Sequence, residues 1–273
     1  MRFSVLHETI YSYETPVTLA AHRLRMSPRR DAGRLLSREL AVDPGPIVKR
    51  EVADNQGNLT LLLEFEGETD RLRLESRFVI DTVPPPIITR ALPPLPWALR
   101  AEEHRPYLVS ADPGPAVSDF AAALLRESRA EPLAFLDALT HTLFRRTDRR
   151  IRETGFAQTP AETLTRAEGA CRDLAILFLA CCRGFGLPGR FASGYQAHAE
   201  SVDGKRHLHA WPEVWLPGVG WLGFDPTHGL RVGDGHVAVY AAPTQEETMP
   251  VEGGYYGLPT GARLDYRVEI TTG

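Results

Sequence analysis

The chain has 273 residues, 31 of them Lys or Arg and 35 Asp or Glu, giving a formal net charge of −4, and 43% are hydrophobic. A folded chain of this length buries roughly three quarters of its extended surface, enough for one large or two modest cores, which excludes intrinsic disorder. The mild acidity excludes general nucleic-acid binding, and no apolar run reaches the ~18 residues of a membrane-spanning helix, so neither nucleic acid nor membrane is expected as a partner.

The first residues place Arg2, His7 and Glu8 where the apolar core of a secretory signal would lie. Together with the cysteine usage described below, this leads to the expectation of a cytoplasmic protein. From Arg2 to Asp81 apolar and polar residues alternate, as in Arg71-Leu72-Arg73-Leu74-Glu75. That period predicts strands with one buried face. Turn chemistry at Asp54-Asn55-Gln56-Gly57-Asn58 separates Val48–Val52 from Leu59–Phe65, and Glu66-Gly67-Glu68 precedes Leu72. Residues 1–83 therefore read as an antiparallel β domain of hairpins.

Six prolines between Pro84 and Pro96 mark a linker over 84–96, because proline suits neither a helix interior nor a central strand. Helical spacing follows in Val117-Ala123-Leu125 and in Leu133-Phe135-Leu136-Leu139-Leu143-Phe144, the second with Pro132 where a first turn tolerates it. The run from Gly169 to Cys182 is apolar on nearly every side after its first turn and stops at Gly184 and Gly186. It predicts a buried helix with Cys171 at its N-terminal end. Strand-like runs at Arg190–Gln196, His209–Leu216 and Trp221–Phe224 follow, so residues 97–273 read as an α+β core with a C-terminal extension. The Arg-rich stretches at 23–38 and 145–152 are assigned to solvated faces; only Lys49 and Lys205 of the 31 basic residues are lysines.

Cysteine reacts as the thiolate, which a helix N-terminus or a neighbouring imidazolium favours. Cys171 has the first of these, and its own amide is placed to hold an oxyanion. Cys181 and Cys182 read as small buried hydrophobes. Cys182 lies eleven residues past Cys171, about 16 Å along a helix, too far for one ion. A thiolate nucleophile needs a base, and the base needs an orienting acceptor. His209 opens the strand His209–Leu216 and Asp225 ends the next one. A hairpin centred on Pro217 would set Asp225 opposite His209, completing a Cys-His-Asp triad. His198, His207, His228 and His236 do not follow a zinc-ligand spacing, so no metal is expected, and the lack of a P-loop or a GxGxxG leaves no cofactor expected.

Four linked segments, Gly169-Ala170-Cys171-Arg172-Asp173, Leu187–Tyr195, His209–Trp215 and Gly220–Thr227, resemble the bacterial transglutaminase-like family. Its core is papain-like and is preceded by a β domain similar to residues 1–83. The resemblance implies Cys171 as nucleophile, His209 as base and Asp225 as orienter, the same three residues. It further implies thiol-dependent acyl transfer on a peptide, protein or carboxamide substrate, either hydrolysis or transamidation. Two positions depart from the family pattern: Arg172, a cation beside the thiolate, and Pro212, which removes a ladder donor from the histidine strand. Candidate substrate-side residues are Arg172, Tyr195, Trp211 and Gln158, the last as a second oxyanion donor. The alternative is a catalytically silent module that binds a peptide or protein partner in the same cleft.

Overall fold

The computed structural model describes residues 1–85, 87–99, 101–109, 112–152, 155–198, 204–258 and 260–273, so Pro86 of the proline-rich stretch lies outside the described residues. The alternating N-terminal region forms β1 (Arg2–Leu19), β2 (His22–Leu24), β3 (Gly33–Asp43), β4 (Val48–Ala53), β5 (Leu59–Glu64) and β6 (Glu68–Thr82). β1, β6 and β3 lie side by side in one antiparallel sheet, and β2, β5 and β4 in another. Val17, Leu19, Leu24, Met26, Leu61, Leu63, Leu72 and Leu74 fill the space between the two. The expected turn is present: the Asp54 carboxylate accepts the Gln56 and Asn58 N–H groups at 2.8 and 3.0 Å, and Gly57 takes φ 81°.

Next come the helices α1 (Pro115–Glu127), α2 (Pro132–Arg146), α3 (Pro160–Arg166) and α4 (Cys171–Arg183). α1, α2 and α3 each have proline in the first turn, where its missing N–H costs nothing. Five antiparallel strands complete the core: β7 (Gly189–Gln196), β8 (His209–Leu216), β9 (Gly220–Asp225), β10 (Leu230–Arg231) and β11 (His236–Ala242), in the order β10-β9-β8-β7-β11. α4 lies on this sheet through Leu174, Leu177, Phe178 and Cys181, which share one apolar cluster with Val214, Leu222 and Phe224. The fold is the α+β arrangement expected.

Three features differ from the sequence reading. Leu95 is buried among the helices, its N–H bonded to the Ala130 carbonyl at 2.9 Å, and the Trp97 N–H bonds the Phe185 carbonyl at 2.9 Å. The proline-rich stretch is thus a strap across the core rather than a free spacer. Second, the chain end leaves the core. Its strands β12 (Val251–Glu252), β13 (Tyr255–Tyr256) and β14 (Ala262–Thr272) join the N-terminal sheets, with β14 running along β1 from Phe3 opposite Thr272 to Tyr13 opposite Ala262. The alternating Arg263-Leu264-Asp265-Tyr266-Arg267-Val268 carries the strand signal, and β1 supplies the open edge that strand needs. Third, the β8–β9 hairpin pairs Glu213 with Gly223 and Leu216 with Gly220, two residues out of step with a turn centred on Pro217. A slip of two keeps every side chain on its face, so His209 and Asp225 still meet.

The N-terminal sheet lies over the second face of the core sheet, where Phe3, Val5, Phe78 and Ile80 pack with Tyr195, Val237 and Val239. All eight residues of β7 are consequently buried. His7 is buried at this junction with its Nδ1 2.8 Å from the Tyr195 hydroxyl, and burial pushes its pKa from 6.5 down to about 4. The unfolded chain binds the proton first, so the stability this group contributes is complete above pH 6.5 and is lost as the pH falls towards 4. Thermal melts across that window should show a falling midpoint, and His7→Gln should make the fall shallower.

Candidate active site

Cys171 is the first residue of α4, and its position is set by Asp173 two residues on. Asp173 is fully buried. One of its oxygens accepts the Ala170 N–H at 2.7 Å, while the other accepts the Gln158 N–H at 2.7 Å and Arg152 Nη2 at 2.8 Å. The Asp173 N–H in turn bonds the Ala170 carbonyl at 2.9 Å, because alanine offers no side-chain cap. One carboxylate therefore ties the helix start to Arg152 and Gln158. Cys171 itself is half-buried, packed beside Phe191 and Ala210, and is the first helical residue, a position whose amide has no carbonyl four residues back within the helix.

His209 and Asp225 are both fully buried, His209 at the start of β8 and Asp225 at the end of β9. The His209 Nε2 lies 2.9 Å from Asp225 Oδ2. Two further rings reach the same oxygen: His228 Nδ1 at 2.8 Å and His236 Nε2 at 3.0 Å. The other oxygen accepts the Thr227 and His228 N–H groups at 2.9 and 3.2 Å. Burial alone would raise this carboxyl, but His209 and the hydrogen bonds from all three imidazoles hold it well below the usual carboxylate range. An ionised carboxylate only accepts, so each ring donates through the nitrogen named. With Nε2 of His209 protonated, the lone pair of the neutral ring lies on Nδ1.

A cleft of about 340 Å³ joins these groups. Cys171, Arg172 and His209 line it together with Arg150, Arg152, Ser193, His207 and Gln245. The opposite wall comes from the N-terminal sheet: His7, Thr9 and Tyr11 of β1, and Leu264 and Tyr266 of β14, which pair with Tyr11 and Thr9. The β domain thus shapes the cleft, and the chain end contributes to it.

The sequence of the β strands preceding this core matches the model of the bacterial transglutaminase-like N-terminal region over residues 3–81, and the core itself matches the transglutaminase-like superfamily over residues 120–226. The chain belongs to the bacterial transglutaminase-like family. An uncharacterized protein of Mycobacterium tuberculosis is 27% identical over 98% of this chain and 92% of its own length. A protein-glutamine gamma-glutamyltransferase of Pseudomonas aeruginosa is 31% identical, over 38% of this chain and 17% of that protein. Among solved structures, a Cytophaga hutchinsonii protein provisionally described as a cysteine protease superposes with a TM-score of 0.74, covering 99% of this chain and 90% of that one at 19% identity, which is a likeness of fold.

The transglutaminase-like core brings Cys171, Arg172 and His209 to one cleft and bonds His209 to Asp225, but it does not place the other three candidates there. Tyr195 and Trp211 are fully buried, since the sheet carrying them is covered on both faces: Tyr195 packs on His7 and Phe78, and Trp211 on His236. Gln158 is not among the residues lining the cleft; its backbone N–H serves Asp173 instead. Arg172 Nη1 donates to the Arg152 carbonyl at 2.7 Å, and burial, then the neighbouring Arg152, lowers its pKa. The ladder of β8 with β9 begins at Glu213, one residue after Pro212, so the proline stands outside it.

Asp173, His228 and His236 were missed from the sequence. Asp173 carried a signal, an acid in the first turn of a helix. His228 carried a weaker one, three residues after Asp225 across a proline turn. His236 comes from a distant strand and carried none. Cys181 and Cys182 are buried, with burial pushing the first thiol up to about 12 and the second well above its usual value. Iodoacetamide should therefore leave both untouched in native Cys171→Ala protein and label both once the chain is unfolded, as read by mass spectrometry.

Proposed function

We propose that this chain is a thiol-dependent acyl-transfer enzyme acting on a peptide or carboxamide substrate, with water as the acceptor. The observation that carries this reading is the half-buried Cys171 at the start of α4, opening into the same cleft as His209, whose Nε2 is held by the buried Asp225.

In this mechanism His209 Nδ1 takes the Cys171 thiol proton and Sγ attacks the carbonyl carbon. The Cys171 amide stabilises the resulting oxyanion. His209 then returns the proton to the departing amine or ammonia, leaving a thioester on Sγ. Water attacks the thioester, His209 receives the water proton, and the acid departs as the Cys171 thiolate reforms. Asp225 stays ionised throughout and stabilises the imidazolium. His207, Gln245 and Arg150 line the cleft with groups able to hydrogen-bond an entering water, which supports water as the acceptor.

The test supplies a panel of peptides containing internal glutamine, with and without a primary amine, and follows three products: cleaved peptide, released ammonia and incorporated amine. Cleavage or ammonia release without incorporation, absent in Cys171→Ala, supports hydrolysis. Amine incorporation would reassign the chain to transamidation. No product of any kind from a stably folded protein would leave the cleft as a peptide-binding module.

A further inference from the structure

The linear spacing of the histidines suggests no metal site, yet the fold brings three of them onto one carboxylate oxygen. His209 Nε2, His228 Nδ1 and His236 Nε2 converge on Asp225 Oδ2 at 2.9, 2.8 and 3.0 Å. The donor atoms of His209, Asp225 and His228 all lie within 4.8 Å of one another. Three nitrogens and one carboxylate oxygen are the donor set of a closed tetrahedral zinc centre, whose bonds to nitrogen and oxygen are about 2.0–2.2 Å. With an ion seated close to the point where the three nitrogens now meet, and the carboxylate turned aside to become the fourth ligand, each ring would need to advance by about 1 Å.

We infer that His209, Asp225, His228 and His236 form a zinc site on the far side of the catalytic imidazole, and that zinc bound there shuts the active site off. This goes beyond the proposed function and is tested without turnover. His228 is the member with side-chain access to solvent, 21% exposed against 0–7% for the other three, so it marks the route of entry. Three imidazoles and one carboxylate favour zinc over magnesium or calcium, which take oxygen ligands.

The inhibitory effect follows from the tautomer. In the metal-free arrangement His209 carries its proton on Nε2 and keeps the Nδ1 lone pair for the thiol. Coordination uses the Nε2 lone pair, so in a neutral ring the proton moves to Nδ1 and none is lost overall. Cys171 then meets a donor instead of an acceptor, and its thiol proton has nowhere to go. With all four positions filled by protein, the ion keeps no open site for water and takes over no hydrolytic role.

The decisive experiment uses full-length Cys171→Ala protein, which removes the thiolate as a competing ligand. It is titrated with zinc by calorimetry and with cobalt by absorption. One ion per chain and a tetrahedral cobalt spectrum are expected, with binding weakened at least about tenfold by His228→Asn or by His236→Asn. In the protein with Cys171 intact, zinc should slow alkylation of Cys171, and a chelator should restore it. An anomalous map of zinc-soaked Cys171→Ala crystals locates the ion even where the buried His236→Asn variant does not fold. Absence of binding in Cys171→Ala, equal binding in a folded His228→Asn variant, or an ion located on other residues would each overturn the assignment.

Discussion

Replacing Cys171 or His209 by alanine is expected to lower turnover by at least about 10⁴-fold, and replacing both should cost little more than either alone, because the two act as one unit. Asp225→Asn should cost about 10³- to 10⁴-fold for a different reason. The amide can turn its NH₂ toward His209 Nε2, which then accepts, and the ring proton moves to Nδ1 where it faces the thiol. His228 and His236 would also lose the anion they now share at 2.8 and 3.0 Å. The measurement is turnover of any glutamine-containing peptide found active in the wild type, with thermal melts to show that each variant is folded. A variant lacking the Cys171 thiol that keeps more than about a hundredth of the rate would remove the thioester from the mechanism.

The largest expected effect on stability lies away from the thiol, at Glu213. This β8 side chain is buried between two arginines: Arg29 of the N-terminal domain donates to both of its oxygens at 3.0 and 3.1 Å, and Arg190 of β7 reaches one of them at 2.6 Å. Burial would raise the Glu213 carboxyl, but the charges and hydrogen bonds of Arg29 and Arg190 bring it down to about 2. Glu213→Ala leaves the buried Arg190 without its anion and Arg29 with only the exposed Asp31, and should lower the unfolding free energy by about 3–5 kcal/mol. Chemical denaturation would read this, and because Arg29 ties the two domains together, loss of cooperativity is expected with it. Replacing Arg29, Arg190 and Glu213 together with apolar residues of similar volume should restore much of the loss, since no charge then stays buried alone.

The pH dependence of the same group has a definite sign. With its folded pKa below the unfolded value near 4.5, Glu213 contributes its full stabilisation above that pH. The contribution disappears as the pH falls towards 2, and its size is about 3 kcal/mol. It is separable from the histidine effect described above, which is complete by about pH 4. Glu213→Gln should flatten the acid limb of the stability curve without altering the region above pH 5.

The parts of this molecule that were legible in its sequence are those governed by local periodicity. Helix α4 declared itself through a nearly continuous apolar run ended by glycines, and its first residue, Cys171, followed from that boundary. The β strands declared themselves through period two. The hairpin holding His209 and Asp225 was read two residues out of register, an error that period two forgives. What could not be read depended on which surfaces meet. Tyr195 and Trp211 have the composition of a cleft wall, but the N-terminal sheet covers the face that would have been open. The return of β14 to β1 carried a clear strand signal with no local clue to its partner. Arg29, Arg190 and Glu213 come from three separate segments, and only the buried acid in an otherwise apolar strand hinted at a pair.

The most direct test of the account is the rate at which iodoacetamide labels native protein between about pH 4 and pH 9, with the modified residue identified by mass spectrometry and His209→Ala as the comparison. Selective alkylation of Cys171 below pH 7, shifted towards the ordinary thiol range near ~8.5 in His209→Ala, is the predicted result. A Cys171 that reacts only near ~8.5 in both proteins would contradict the existence of an activated thiol–imidazole pair.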